Sequence, residues 1–236
     1  MTKKIALEIN DINKTFKFES NNVFYQKNST LEIKSLKNIS LTINQSDRIG
    51  IIGRNGSGKS TLCKIIAGIT YPTSGTIKIK GKVSSVLEAG IGFEPELSGY
   101  ENIFLGGAVL GMGRLNILKK VDEIINFSEI KNYINVPLKK YSTGMMIKLA
   151  FSVACFLDGD IIILDEVLAV ADENFRKKCV KKIINDCQKD NKTLLLVSHD
   201  IRNIAEICNK VIYLKEGELI NFGDVKEIIK QYELEK

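Results

Sequence analysis

The chain has 236 residues, 44% hydrophobic and 26% charged, the makeup of a globular protein that buries a sizeable core. Its net charge of +6 rests on scattered lysines, with no concentrated basic patch interleaved with aromatics, which excludes a nucleic-acid groove and leaves room for weak attraction to an anionic membrane surface. The longest apolar runs, 103–112 and 149–157, are too short to span a bilayer, and no apolar signal core follows Met1-Thr2-Lys3-Lys4, so the chain is expected to stay in the cytosol. Five cysteines in no metal-ligand spacing, most of them within apolar helical patterns, read as buried small hydrophobes in a reducing compartment.

Residues 5–9 alternate like a strand, and Phe16 and Phe18 follow in Asn13–Phe18. The polar, Asn-rich stretch from Glu19 to Lys34 reads as an insertion or long loop. As a surface insertion, it could also contact a membrane partner or lipid headgroups. A strand is expected over 39–43, a turn over 44–47 and an apolar strand over 48–52. A helix is expected over 60–67, a turn over 72–75, and strands over 76–80 and 83–87. Glycines then recur among apolar residues to Gly113, a helical pattern runs from 116 to 133, and a strong helix runs from 142 to 157. Together, roughly 90–157 looks like a helical subdomain inserted into an α/β core. Four apolar residues, 161–164, read as a buried parallel strand. A helix over 173–190, a buried strand over 193–197, a hairpin of 210–214 with 218–221 and a short helix over 224–232 complete the chain. Strands alternating with helices predict a mainly parallel sheet.

Three signals carry chemistry. The first, Gly53-Arg54-Asn55-Gly56-Ser57-Gly58-Lys59-Ser60-Thr61, fits the phosphate-binding P-loop between a strand and a helix. Glycines let successive N–H groups turn toward one phosphate chain, and the helix N-terminus adds positive potential. Lys59 is expected to reach the β- and γ-phosphates, and Ser60 to offer its hydroxyl to Mg²⁺. The second is Asp165-Glu166, which ends an apolar strand at the sheet edge where α/β proteins bind ligands. Two carboxylates there could simply open a loop; the P-loop upstream favours Asp165 as a metal ligand and Glu166 as the group that polarises an attacking water. The third is His199, the single histidine, directly after the strand over 193–197 and expected near the γ-phosphate.

With these residues in place, the chain resembles the nucleotide-binding subunit of ATP-binding-cassette (ABC) transporters over nearly its whole length, apart from the stretch after Phe18. Tyr141-Ser142-Thr143-Gly144-Met145 stands where that family carries L-S-G-G-Q, keeping Ser142 and Gly144. The resemblance implies that these two bind the γ-phosphate held by a partner subunit; Ser142 also reads as a plain helix cap, and the two roles are compatible. It further implies that Asp172 belongs to a loop bridging two subunits and that Phe16, or alternatively Phe18, stacks on adenine. Glu88 falls near the position where the family usually has a Gln contacting Mg²⁺. No N-K-x-D guanine motif is present, which disfavours a GTPase.

Four stretches are similar to ATP-binding subunits of bacterial polysaccharide exporters, a group in which Glu replaces that Gln: 83–93, 95–103, the Y-S-x-G-M form at 141–145, and 165–170. The implied fold is a P-loop NTPase α/β core with a mainly parallel sheet, an antiparallel β-subdomain and the inserted helical subdomain, forming a single ABC ATP-binding domain over 1–236. Some members carry a C-terminal carbohydrate-binding domain, which is not expected here. The implied activity is Mg²⁺-dependent ATP hydrolysis by a homodimer at the cytoplasmic face of the membrane. Its partner would be a polytopic permease and its cargo a lipid-linked polysaccharide of the O-antigen, teichoic acid or capsule type.

Overall fold

A computed structural model describes residues 4–20, 29–86, 92–165, 172–198 and 200–235. Two sheets organise it. The first is antiparallel, with β1 (Ile5–Ser20) between β2 (Ser29–Asn44) and β4 (Ser74–Ile79). The second runs in the order β5 (Val83–Val86), β6 (Ile161–Asp165), β7 (Thr193–Val197), β3 (Arg48–Ile52), β8 (Lys210–Lys215) and β9 (Glu218–Asp224). All its pairings are parallel except the β8–β9 hairpin.

Apolar runs such as Ile161–Leu164 and Leu194–Val197 have to be buried on both faces, because successive side chains point to opposite sides of a strand. Here the two faces enter two different cores. Ile49, Ile51, Ile161, Ile163, Leu195, Val197, Ile212 and Leu214 pack toward the antiparallel sheet and α1 (Lys59–Ile66). Their alternates Ile52, Ile162, Leu164, Leu194, Leu196, Val211 and Tyr213 pack into the core formed with the remaining helices. Helix α1 thus lies between the sheets, its Leu62, Cys63 and Ile66 sharing one core with Leu7 and Ile9 of β1. Each such side chain contributes roughly 1.5–3 kcal/mol of burial.

Between β5 and β6 the chain forms α2 (Gly99–Val109), α3 (Arg114–Ser128) and α4 (Thr143–Cys155). The predicted face of α3 (Ile117, Val121, Ile124 and Ile125) is buried. Helix α2 falls in the glycine-rich stretch that ends at Gly113, inside the expected helical subdomain. Its start carries a capping box, Ser98 with Glu101, and buried Asn102 holds the incoming loop by donating to the carbonyls of Glu94, Leu97 and Ser98. After β6 come α5 (Glu173–Lys189), α6 (Ile201–Ile207) and α7 (Val225–Leu234). Among the described residues, no helix is long and apolar enough to cross a membrane. All five cysteines are free and buried.

One expectation is corrected. Residues 29–34 are not loop: they belong to β2, and residues 19 and 20 extend β1. Phe16 pairs with Ile33 and Phe18 with Leu31, an alternation that the polar composition of the neighbourhood concealed. Residues 21–28 of that stretch lie outside the described residues.

Candidate phosphate-binding site

The site begins where β3 ends. Gly53 turns the chain at φ 150°, and a Cβ there would stand 2.2 Å from the Leu214 carbonyl and 2.5 Å from Ser57 Oγ. The loop 54–58 is pinned from both sides. The Ser57 amide donates to the Arg54 carbonyl at 3.1 Å, and the Ser57 carbonyl accepts from the Gly217 amide at 3.1 Å. Gly58 then caps α1 in the left-handed region at φ 102°, with a would-be Cβ 2.6 Å from the Ser35 carbonyl and 2.7 Å from Leu36. Only glycine fits both conformations and both close approaches.

The consequence is a helix start open to an anion. No side chain caps α1, and its first turn contains no acidic residue. The first intrahelical bond runs from the Leu62 amide to the Gly58 carbonyl, so the amides before Leu62 precede the helix ladder. Ser57 Oγ is buried with no hydrogen-bond partner among the described residues. Lys59 is buried, and its ammonium donates to the Gly53 and Arg54 carbonyls at 2.9 and 3.0 Å, folded under the loop it would leave to meet a phosphate. Asn55, Gly56, Ser57, Gly58, Lys59, Ser60 and Thr61, together with Ser35, line a concavity of about 260 Å³. An uncapped helix start that lines the hollow, with an unsatisfied buried hydroxyl and a buried cation held on its lining residues, fits a polyphosphate.

Asp165 ends β6, in register with Val197 at the end of β7, the strand next to β3. It therefore shares the carboxyl edge of the sheet with the P-loop. Burial pushes the Cys63 thiol on α1 well up, with Asp165 adding to the shift and Lys59 opposing it, so both charges act on the same turn of α1. Glu166, His199 and Glu88 lie outside the described residues.

Ser142 and Gly144 do not line this hollow. Ser142 is the N-cap of α4, its hydroxyl accepting from the Met145 amide at 3.2 Å. Among the described residues, a Cβ on Gly144 would meet nothing nearer than Ser142 Oγ at 3.9 Å, so their packing does not demand a glycine there. Asp172 is the N-cap of α5, accepting from the Asn174 and Phe175 amides and pairing with Lys148 at 3.1 Å. The Lys148 hydrogen bond first, and then those amides, hold its carboxyl below the usual range. Phe16 is half-buried on β1, with Lys14 Nζ 4.9 Å from its ring centroid and the Phe18 ring 6.5 Å away.

Ser35 is the pocket residue that the sequence reading passed over. It sits on β2, and its hydroxyl meets Thr61 Oγ1 at 2.7 Å, tying the antiparallel sheet to α1. No local motif marks it; the alternation of Leu31, Ile33 and Ser35 was the available signal.

A parallel sheet with a P-loop after one strand, a carboxylate at the end of a nearby strand and a helical insertion between defines a P-loop nucleotide-binding domain of the cassette type. The ABC transporter family profile matches residues 36–169. The chain belongs to the ABC transporter family and is an ATPase of that family. It is 44% identical over 200 residues to the O-antigen export system ATP-binding protein RfbB of Myxococcus xanthus, covering 85% of this chain and 46% of that protein. It is 37% identical over 235 residues to the teichoic acids export ATP-binding protein TagH of Staphylococcus haemolyticus, covering 97% of this chain and 88% of that protein. Its fold is shared with the ATP-binding cassette MJ0796, solved as a dimer in a post-hydrolysis state with ADP and Pi, at TM-score 0.74 and 23% identity over 93% of this chain and 98% of that one.

Proposed function

We propose that this chain is the ATP-binding and ATP-hydrolysing subunit that powers export of a lipid-linked polysaccharide, of the O-antigen, teichoic acid or capsule type, from the cytoplasmic face of the membrane. The observation that carries the cargo is the similarity to polysaccharide-export subunits along almost the whole chain. The uncapped, lysine-bearing start of α1 supports the nucleotide reading.

In this reading the amides of the P-loop and Lys59 hold the β- and γ-phosphates, and Phe16 lies against the base. The hydroxyl of Ser60 and the carboxylate of Asp165 are hard oxygen donors, which fit Mg²⁺, an ion commonly held by one or two protein ligands plus phosphate oxygens. Ser60 and Asp165 would hold the ion, with Glu88 as a further candidate, and it would neutralise charge on the phosphates. Glu166 orients and polarises the attacking water, and His199 stands by the γ-phosphate.

A second copy of the chain supplies the rest. The open surroundings of Gly144 and the helix start at Ser142 suit a phosphate brought by a partner, so each ATP would lie between the P-loop of one copy and α4 of the other. ATP binds the closed pair better than the open one, and hydrolysis releases it. The membrane subunit would seat on the groove between α2 and α3. That concavity of about 460 Å³ is lined by Glu101, Phe104, Leu105, Ala108, Arg114 and Ile117, beside exposed Val109, Leu115 and Leu118.

The test is purification of tagged Glu166→Gln protein from membranes in mild detergent with ATP. A polytopic membrane protein in equimolar amount supports the assignment. Recovery with ribosomes or DNA-repair proteins, or alone, removes the transport reading and leaves a soluble cassette ATPase.

A further inference from the structure

The amine of Lys148, on the second turn of α4, joins the ends of two other helices. It lies 2.9 Å from Glu129 Oε2 and 3.1 Å from Asp172 Oδ2, and 5.2 Å from the centroid of the Phe175 ring. Glu129 is the C-cap of α3, in the left-handed region at φ 61°, and Asp172 is the N-cap of α5. Each carboxylate divides its oxygens. Asp172 gives Oδ1 to the amides of Asn174 and Phe175 and Oδ2 to Lys148. Glu129 gives Oε2 to Lys148 and Oε1 to Lys178 of α5, at 3.0 Å.

Asp172 closes the stretch that Asp165 opens and that contains Glu166. Ser142, one and a half turns before Lys148, starts the helix offered to the other copy's phosphate. We infer that Lys148 is a positioning residue for hydrolysis: its amine fixes the start of α4 against the far end of the segment carrying the catalytic carboxylates. The inference rests on the function proposed above. The P-loop concavity includes none of Lys148, Glu129 or Asp172, so binding of the first nucleotide does not depend on the bridge.

The experiment compares Lys148→Met and Lys148→Arg in the full chain. For Lys148→Met, kcat should fall about tenfold to a hundredfold, because small misplacement at a distance is costly to a reacting geometry. Its affinity for ADP should stay within about twofold of the parent, as expected when only the transition-state arrangement is lost. In the Glu166→Gln background, Lys148→Met should weaken the ATP-dependent dimer about tenfold by sedimentation. Lys148→Arg, which keeps the charge and can reach both carboxylates, should recover kcat to within about threefold. A Lys148→Met protein with parental kcat overturns the inference. So does one losing ADP affinity together with kcat, or an Arg variant as poor as Met. Failure of the reading beneath it looks different: a parent chain without ATPase activity, or Glu166→Gln protein that binds no ATP.

Discussion

Helices α1 and α4 both begin in a Ser/Gly-containing turn after an irregular segment, yet they are built on opposite plans. The start of α1 is uncapped, and its glycines stand in left-handed or otherwise strained backbone against Leu214, Ser35 and Leu36. The start of α4 is capped by the Ser142 hydroxyl, and Gly144 is in open surroundings with ordinary backbone. One end is a finished receptor whose shape comes from its own chain. The other is a capped helix end whose glycine is not required by the packing of the described residues. In the proposed dimer, a site assembled from both would make chemistry contingent on closure and leave binding of the first nucleotide independent of it.

The largest expected effect separates binding from chemistry. Glu166→Gln should retain ATP and lose turnover on the order of 100-fold or more, the usual cost of removing a general base, with an ATP-dependent dimer accumulating on gel filtration. Rapid turnover by that variant would contradict the role assigned to Glu166. Next comes the same change made at both helix starts. Gly58→Ala forces a Cβ into the Ser35 carbonyl at 2.6 Å and strains a left-handed residue, for a loss of about 1–3 kcal/mol and a matching fall in nucleotide affinity by titration. Gly144→Ala should leave that affinity unchanged and weaken only the dimer. Equal effects at the two positions would erase the contrast between them.

A smaller effect is expected at the cap. Ser142→Ala should cost about 1 kcal/mol of stability, seen as a Tm lower by about 2–4 °C, and leave binding of ADP intact. The smallest concerns pH. Lys148 and Lys178 hold the Glu129 carboxyl below its ordinary range, and Lys148 does the same for Asp172. Depressed carboxylates contribute stability above their ordinary values of about 4 and lose it as pH falls through the depressed ones. Lys148, itself raised chiefly by Glu129, contributes on the other side, fully below about 10.4 and less as pH climbs through its raised value. The Tm gap between the parent and Lys148→Met should therefore be present at neutral pH and shrink below about pH 4. A gap that persists in acid would mean the lysine acts through packing on Phe175 instead of charge.

Much of this was legible in the chain itself wherever the controlling interactions are short in range. The P-loop, the strand 193–197 and the buried face of α3 follow from spacing and period alone. Helix α2 was not delimited within the expected helical subdomain because Gly106 and Gly107 hid its pattern, although Ser98 and Glu101 spell a capping box. Helix α6, seven residues beginning at Ile201, was too short to assert a period. The end of the β1–β2 ribbon was missed because its apolar positions, Phe16, Phe18, Leu31 and Ile33, alternate across two strands separated by polar sequence.

By itself, then, the sequence determined the class of fold and set the glycines and lysine of the P-loop between a strand and a helix. Glycine tolerance, helix dipoles and two-residue alternation act over a few positions, and so can be read from a few positions. Only the tertiary structure decided that Ser35 joins the hollow through Thr61 and that the two faces of one sheet feed separate cores. It alone decided that Lys148 ties Glu129 to Asp172. Those contacts join residues far apart in the chain, and no local pattern specifies the partner of a hydroxyl or a charge until the backbone has brought the two together.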